Sequence, residues 1–577
     1  MIDQPRSGPP LPEVPFRSVP EMVAARAAID PRRAAVRSRG PSGKWADLTW
    51  ADLEERRRKI AAGLQALGVR HGDVVAVVSP NSAEMLVAEL AAQTLGAAVA
   101  PIFPGYAAQV LHHCLADSGA RVALAGSAVQ QHQLLKARQL DHIVVLDDQP
   151  LPGALPLKAL LGAAEVETPQ AGPADIAWLL YTSGTTGRPK GVELTHHNAL
   201  SQQAAIAALW DVSGRDVFLS YLPWHHCFGA LFERLMALWH RALLVIDDSR
   251  GRDLDRLYTN LFEIRPTVYF GVPRVYNGMI ARARRDPQAM AALKALRFAF
   301  SAAAPIAEPA FRFFEELGVP VLEGWGLTET SPCATITRRT DPQRAPGVVG
   351  FPLPGTQVKL EPVPEFPGRG EILVRGPQVM RGYHHRPEET ARVLEDGWLR
   401  CGDLGEWTAH GLKLLGRLDG VFKLENAEKV SAGEVEGRML AATPLLEQAV
   451  VLGRAQTFVT ALCWISAPAA QRFLQDLGLE PPEAVAELVQ VPELRRAIVE
   501  ALQSANLFAS AAYERVRRVA LVAETPSLDT GELTPTQKMV RAVATERHAG
   551  LISALREEEP HPQILDIFRR GDAFRNA

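Results

Sequence analysis

Helix-type and strand-type hydrophobic patterns alternate along the first 360 or so of the chain's 577 residues. Apolar residues recur at helical spacing over 50–69 and 84–97, and a glycine lies near the C-terminal end of each segment. Between and after them come the short apolar runs DVVAVVSPNS (73–82), AVAPIF (98–103) and ARVALAG (120–126). This alternation predicts parallel sheets covered by helices.

The same rhythm continues through the second third of the chain. VFLSYLPW (217–224), ALLVID (242–247), PTVYFGVP (266–273) and LRFAFSAAAP (296–305) read as strands that each run into a turn. Because ligands of parallel sheets bind beyond the carboxyl ends of the strands, we expect a site among these turns.

The sequence pattern changes after about residue 345, where prolines and glycines separate short strand-type segments. We therefore predict an α/β fold with an α+β part. A large N-terminal domain (1–418) holds two βα-layered, parallel-type sheets, a flexible leader (1–20) and an antiparallel β-subdomain (about 345–418). A small, mobile α+β C-terminal domain (419–577) follows GRLDG (416–420).

Composition narrows the class of protein. A net charge of −3 gives no electrostatic reason to expect a nucleic-acid partner. The five scattered cysteines suggest neither disulfides nor zinc, so a reducing cytoplasm is expected. The N-terminus has no signal-peptide core, and Glu89, Gln93 and Pro101 break the longest apolar stretch, so no transmembrane segment is expected. Peripheral membrane contact stays open.

YTSGTTGRPKG (181–191) combines hydroxyls, glycines and a lysine, the materials of a phosphate-binding loop. Its spacing matches neither a P-loop nor a Rossmann fingerprint, and the chain lacks the G-x-S-x-G of a serine hydrolase. From spacing alone, a phosphate loop and a surface turn are equal alternatives.

Six motifs in order resemble those of the adenylate-forming enzymes: acyl-CoA synthetases, luciferases and peptide-synthetase adenylation domains. The resemblance covers about residues 20–555 and is strongest to the long-chain fatty acyl-CoA synthetases. The motifs are YTSGTTGRPKGVELTHHN (181–198), YLPWHH (221–226), EGWGLTETSP (323–332), GWLRCGDLG (397–405), GRLDGVFKLENAEKVS (416–431) and GELTPTQKMVR (531–541).

The resemblance implies that a fatty acid is joined to ATP as an acyl-adenylate and then transferred to coenzyme A. Lys190 would supply a charge to the phosphates, and Glu329 would hold Mg²⁺. Trp325 stands where the family usually has a tyrosine stacked on adenine. The implied ATP and AMP contacts are Thr182, Ser183, Gly184, Thr185, Thr186, Gly187, Lys190, Ala303, Glu323, Gly324, Trp325, Gly326, Thr328, Asp403, Arg417 and Lys538.

Catalytic roles are implied for three residues. Lys538 matches the family's lysine that contacts the acyl carboxylate and the phosphate during adenylation. Thr328 matches the residue that contacts the α-phosphate. His226 matches the histidine that positions the acyl carboxylate and the α-phosphate. Asp403 and Arg417 resemble the pair that binds the ribose. An aspartate after a glycine is otherwise most often a turn residue.

Two positions concern the second step. Asp419 matches the family's hinge, and Ala427 replaces the glycine usual in the coenzyme A channel. Ala302 and Ala303 likewise replace glycines beside the adenine and acyl chain. These departures leave open an acyl-AMP ligase serving a separate carrier protein, or an aryl-CoA ligase.

A scaffold protein with a degenerate nucleotide site is the alternative from another class, and the intact lysine, glutamate and aspartate argue against it. Acyl length, pathway and oligomeric state are not encoded in these motifs. A homodimer is an expectation of the resemblance alone.

Overall fold

The structure, a computed structural model, describes residues 4–568 except 41, 138, 163, 167, 184–188, 252, 303–305, 342, 365, 427, 510, 535–537, 558 and 560, and not the side chains of Ser183, Arg274 and Asp419. The chain divides into two compact units. The first comprises Met1–Glu361, Ile372–Cys401 and Trp407–Lys413, and the second Pro362–Glu371, Gly402–Glu406 and Leu414–Ala577.

The first sheet confirms the strands expected near 73–126. Val75 pairs with Val99 on one side and with Val122 on the other, both in parallel register. Antiparallel strands complete one edge, where Pro189–Thr195 pairs with Ile176–Ser183. In order across the sheet, the strands described are Gly382–Tyr383, Pro189–Thr195, Ile176–Ser183, Ala98–Pro101, Val74–Val78, Val122–Ala125, His142–Val145 and Leu155–Pro156.

The second sheet is built from the strands expected in the second third of the chain. Its central pairs are parallel, and its outer pairs are antiparallel. In order, the strands described are Phe351–Pro352, Thr335–Ile336, Val321–Trp325, Phe298–Ser301, Val268–Gly271, Val217–Ser220, Leu243–Ile246, Ala34–Arg39 and Trp45–Thr49.

Side-chain caps and glycines set the ends of the helices in this unit. Thr49 and Asp52 form a capping box before the helix Trp50–Ala66, and Gly68, with φ of 95°, follows its end. The α-helices described are Val19–Ile29, Trp50–Ala66, Ala83–Thr94, Ala108–Ser118, Ala128–Leu134, His196–Ala207, Leu235–His240, Leu254–Ile264, Pro273–Ala283, Pro287–Lys294, Glu308–Glu316 and Pro387–Val393. A π-helix spans Phe228–Arg234, and 3₁₀ helices span Leu157–Leu160 and Thr328–Thr330.

Residues 4–20, for which a flexible leader was expected, contain a short paired strand. Arg6–Ser7 forms an edge strand, with Ser7 opposite Gln357, and the amide of Gly355 donates to the carbonyl of Pro9 at 2.7 Å. Ser18 then caps the helix Val19–Ile29. Proline is compatible with an extended edge strand, so a proline-rich composition did not distinguish a paired segment from a loose one.

A third sheet contains the short strands expected after residue 345. Its first pair, Arg6–Ser7 with Gln357–Pro362, is antiparallel, as is its last, Leu394–Glu395 with Trp398–Thr408. In order, its strands are Arg6–Ser7, Gln357–Pro362, Gly370–Arg375, Trp398–Thr408 and Leu394–Glu395, and Gly411–Arg417 also pairs with Trp398–Thr408.

The second unit has its own sheet and hydrophobic core. The sheet is mixed, since Leu446–Leu452 and Val459–Ile465 are antiparallel whereas Val459–Ile465 and Val516–Leu521 are parallel. Ile564–Asp566 is the fourth strand of this sheet, and Val421–Lys423 pairs with Lys429–Ser431 in a separate antiparallel ribbon. The α-helices described are Ala432–Ala442, Ala467–Asp476, Val485–Leu488, Pro492–Leu507, Arg541–Arg547 and Ala549–Ala554. Within the described part of the whole chain, every helix is too short or too polar to cross a bilayer.

Candidate active site

The phosphate-loop motif forms the junction of two antiparallel strands. Lys190 lies opposite Thr182 across the pair. The Tyr181 hydroxyl donates to the carbonyl of Cys114 at 3.0 Å and to the Asp117 carboxylate at 3.1 Å, which anchors the end of the first strand. The loop residues Gly184, Thr185, Thr186 and Gly187 and the side chain of Ser183 lie outside the described residues.

Lys190 and Glu329, expected at the phosphates and the metal, are linked through one aromatic residue. The Lys190 ammonium lies 5.2 Å from the ring centroid of Tyr383, whose hydroxyl donates to Glu329 Oε1 at 2.8 Å. Lys190 also pairs with Glu389, and hydrogen bonding to the ammonium lowers the pKa of that carboxyl. The sequence did not predict a role for Tyr383 or Glu389, because nothing in GYHHRPEE (382–389) indicates which residues their side chains contact in the folded protein.

The EGWGLTET turn allows no side chain at its second glycine. A Cβ built on Gly326 would lie 1.9 Å from the carbonyl oxygen of Pro332 and 2.7 Å from Thr330 Oγ1. Thr330 Oγ1 accepts the Leu327 amide at 2.8 Å, which closes the turn. At Gly324, a Cβ would lie 3.0 Å from a ring carbon of Phe300. Glycine is therefore required for close backbone approach.

Glu323 and Trp325 are both buried at the strand that precedes this turn. The Glu323 carboxylate accepts the amides of Ile306 at 3.3 Å and Gly347 at 3.1 Å. Burial raises the pKa of Glu323 to about 8. Glu323 thus joins three segments of the chain through backbone amides, while Ala303 lies outside the described residues.

The histidine motif meets the same turn. The His226 amide donates to the carbonyl of Pro223 at 3.1 Å, and His226 Nδ1 accepts the Phe228 amide at 3.3 Å. The neighbouring Cys227 Sγ lies 3.4 Å from the hydroxyl of Thr328. The turns that carry His226 and Thr328 therefore meet through Cys227, a residue for which the sequence suggested no role.

A buried polar network lies behind the histidine turn. Arg234 donates to Glu89 at 2.8 Å, with each side chain at most 3% exposed, and stacks 4.8 Å above the ring of Trp224. The Trp224 indole donates to Ser220 Oγ at 3.2 Å, and that hydroxyl donates to Glu233. Since breaking a buried ion pair costs about 3–5 kcal/mol, this network holds the turn in one arrangement.

The predicted ribose pair lies in the second unit. Arg417 Nη1 donates to Asp403 Oδ1 at 3.1 Å, and Asp403 is 8% exposed. Gly402, with φ of 67°, donates its amide to Glu371 at 3.3 Å and turns the chain into Asp403. Asp419 falls in the 3₁₀ turn Leu418–Gly420 that follows Arg417, with its side chain outside the described atoms, and Ala427 lies outside the described residues.

Lys538 also belongs to the second unit and is exposed, while Pro535, Thr536 and Gln537 lie outside the described residues. The Thr534 amide donates to the Lys538 carbonyl at 2.8 Å, and the Lys538 amide donates to Thr534 Oγ1 at 3.0 Å. Leu533 and Met539 pair as an antiparallel bridge just outside this ring. Lys538 is therefore presented by a short, internally bonded hairpin.

The donor set fits a magnesium ion that arrives with a nucleotide. Among the residues described, no group of three or more His, Cys, Asp or Glu could hold a metal ion. Mg²⁺ is commonly bound by one or two carboxylates together with substrate phosphates, so the single Glu329 carboxylate is sufficient. Its hydrogen bond from Tyr383 orients the carboxylate.

Comparison with known proteins agrees with the motifs. The AMP-binding enzyme family matches residues 23–384, and the AMP-binding enzyme C-terminal domain matches residues 419–560. The long-chain-fatty-acid–CoA ligase FadD15 of Mycobacterium bovis is 30% identical over 90% of this chain and 93% of its own. A feruloyl-CoA synthase of an Amycolatopsis species is 33% identical over 74% of this chain and 84% of its own.

A solved structure shows the same fold. The anthranilate CoA ligase AuaEII in complex with anthranoyl-AMP superposes with a TM-score of 0.78 over 94% of this chain and 98% of its own, at 22% identity. The predicted fold class and the resemblance inferred from the six motifs are therefore confirmed. On this evidence, the chain belongs to the AMP-binding enzyme family.

Proposed function

We propose that the protein is an acid–thiol ligase that converts a medium- to long-chain fatty acid, ATP and coenzyme A into acyl-CoA, AMP and pyrophosphate. The observation that carries the proposal is the Lys190–Tyr383–Glu329 link, which joins a phosphate-binding cation to a metal-binding carboxylate. The 30% identity to a long-chain-fatty-acid–CoA ligase supports the choice of substrate.

In the first step, a carboxylate oxygen attacks the α-phosphorus of ATP, the new O–P bond forms, and pyrophosphate leaves. This step brings an anion against a polyanion, so its transition state needs nearby positive charge and hydrogen-bond donors. Lys190 supplies a cation, and the Thr328 hydroxyl a donor. Glu329 would hold Mg²⁺, which would neutralise charge on the phosphates when bound.

His226 acts by position rather than as a base, because an ionised carboxylate carries no proton to remove. Its Nδ1 is occupied by the Phe228 amide, which fixes the orientation of the ring. Phosphate contacts are assigned to Thr182, Ser183, Gly184, Thr185, Thr186 and Gly187, and nucleotide contacts to Ala303, Glu323, Gly324, Trp325, Gly326, Asp403 and Arg417.

In the second step, the thiol of coenzyme A attacks the acyl carbonyl, the thioester C–S bond forms, and AMP leaves as the thiol loses its proton. Lys538 serves the first step by stabilising developing negative charge. Asp419 is the hinge between the two steps, because a few linker residues can absorb the change in backbone angles that such a motion requires. The coenzyme A channel is assigned Ala427 by the resemblance alone.

An aryl-CoA ligase is the second candidate, and the 33% identity to a feruloyl-CoA synthase favours it. Both candidates share the adenylation chemistry and differ in the shape of the acid that is bound. The substrate test must therefore include both classes of acid.

The test measures AMP and thioester formed from ATP, Mg²⁺ and coenzyme A with a panel of fatty and aromatic acids, against a reaction without acid. Matched production of AMP and fatty acyl-CoA is expected. Preference for aromatic acids would replace the first candidate with the second. Acid-dependent pyrophosphate release without any thioester would contradict coenzyme A as acceptor and indicate a carrier-protein ligase, whereas no acid-dependent pyrophosphate release would refute adenylation.

A further inference from the structure

The hairpin that presents Lys538 begins at a buried acid that the motif comparison assigns no role. Glu532 is fully buried, although it stands only six positions before the exposed lysine. Its carbonyl accepts the Val540 amide at 2.7 Å, so Glu532 and Val540 close the base of the hairpin by a backbone hydrogen bond. Lys538 lies between them in the sequence, two residues before Val540.

Three partners hold the Glu532 carboxylate. The Thr530 hydroxyl donates to Oε2 at 2.8 Å, and His548 Nε2 lies 2.8 Å from Oε1. Arg547 Nε lies 3.4 Å from Oε2 and adds a positive charge. A buried carboxylate is stable only when it is paired and hydrogen-bonded in this way, so Glu532 has one strongly preferred position.

Two of these partners lie at the end of the helix that follows the hairpin. Arg547 is the last residue of the helix Arg541–Arg547, and His548 follows it, with its ring 5.6 Å from that of buried Trp464. The carboxylate of Glu532 therefore ties the hairpin base to a helix end that is itself packed on the core of the second unit.

The start of the same helix is also fixed. Arg541 pairs with Glu436 and donates to the carbonyl of Val451 at 2.7 Å. The Val451 amide in turn donates to Glu436 at 2.7 Å. Both ends of this helix are therefore anchored, and the Glu532 carboxylate links its C-terminal end to the lysine hairpin.

We propose that Glu532 is a positioning residue for Lys538 in the adenylation step, an inference that rests on the ligase function proposed above. Glu532 does not touch the reactants. It holds the base of the hairpin in one arrangement, so that the exposed lysine is presented from a rigid support. Misplacing a reacting group by about 1 Å can lower a rate about a hundredfold, so support of this kind matters to the rate.

The test compares Glu532→Gln with Glu524→Gln in the full-length protein. The two acids contact the same Arg547, but Glu524 is 65% exposed whereas the Glu532 side chain is 1% exposed. Glu532→Gln is expected to slow acid-dependent ATP–pyrophosphate exchange by about tenfold, with thioester formation from supplied acyl-AMP within about twofold. Glu524→Gln is expected to change neither. Equal loss of both half-reactions, or unchanged exchange, overturns the proposal.

A pair of substitutions at the partner histidine covers the case in which Glu532→Gln fails to fold. His548→Ala is expected to reproduce the selective loss of adenylation, and His548→Gln, which keeps a donor toward the carboxylate, to restore much of it. The same behaviour in both variants would refute the positioning role.

Hydrogen exchange separates this inference from the proposed function. Glu532→Gln is expected to speed exchange of the Thr534 and Val540 amides, which requires no enzyme activity, while Glu524→Gln leaves them unchanged. A wild-type protein without acid-dependent exchange of pyrophosphate would refute the ligase function. Unaltered amide exchange in Glu532→Gln would refute the positioning role whatever the activity.

Discussion

Replacing Gly326 with alanine would place a methyl carbon 1.9 Å from the carbonyl oxygen of Pro332. Carbon–oxygen contacts in proteins lie at about 3.3 Å or beyond, so the turn must open by about 1.4 Å. Pro332 is a backbone obstacle rather than the end of a flexible side chain, so the backbone has to move. Thr328 and Glu329 lie within this turn, and they move with it.

The size of the effect follows from that displacement. A shift of about 1 Å in groups that contact the reacting phosphate lowers a rate by about a hundredfold. That loss equals about 2.7 kcal/mol of transition-state stabilisation. Overpacking at the turn adds about 1–3 kcal/mol of lost folding stability. We therefore expect Gly326→Ala to fold with reduced stability and to retain about 1% of wild-type kcat/KM for ATP.

The assay is acid-dependent pyrophosphate release at varied ATP, with thermal unfolding measured on the same samples. Gly172→Ala is the matched control, because a Cβ there would lie 3.6 Å from its nearest neighbour, an oxygen of Asp175. The control should behave as wild type. If Gly326→Ala kept an activity within about threefold of wild type, the turn would accommodate the methyl group without displacing Thr328 and Glu329. That result would refute the predicted displacement.

Three further predictions concern charged groups. Lys538→Ala should abolish pyrophosphate release but spare thioester formation from supplied acyl-AMP, and equal loss of both would contradict its role. Glu389→Gln should lower the KM for ATP about threefold, because it removes the carboxylate that competes with the phosphates for Lys190. Glu388→Gln, at the exposed neighbouring position, is the control, and a raised KM in Glu389→Gln would refute the competition. Burial raises the pKa of Glu323 from 4.5 to about 8, so the unfolded state loses its proton first and the free energy of unfolding should fall as pH rises through this window. Urea unfolding of wild type and Glu323→Gln checks this, since the variant should lose that part of the pH dependence, and identical curves would contradict it.

Local patterns along the chain were enough to predict the alternation of helices and strands, and the six motifs predicted the chemistry. A short apolar run that ends in a turn predicted the strand Val74–Val78, and apolar residues at helical spacing predicted the helix Trp50–Ala66, because both patterns are local. The resemblance of the motifs proposed Lys190, Thr328 and Glu329 as site residues, because motifs and their order are read from the chain alone.

Which distant residues meet depends on the folded arrangement of the whole chain. Tyr383 reaches Glu329 across 54 positions of sequence, and Glu532 meets His548 across 16, contacts that no local pattern encodes. The proline-rich residues 4–20 could not be predicted to pair with a strand some 350 positions away. Long-range pairing depends on which buried polar groups remain to be satisfied once the layers have packed, and that is a property of the folded chain as a whole.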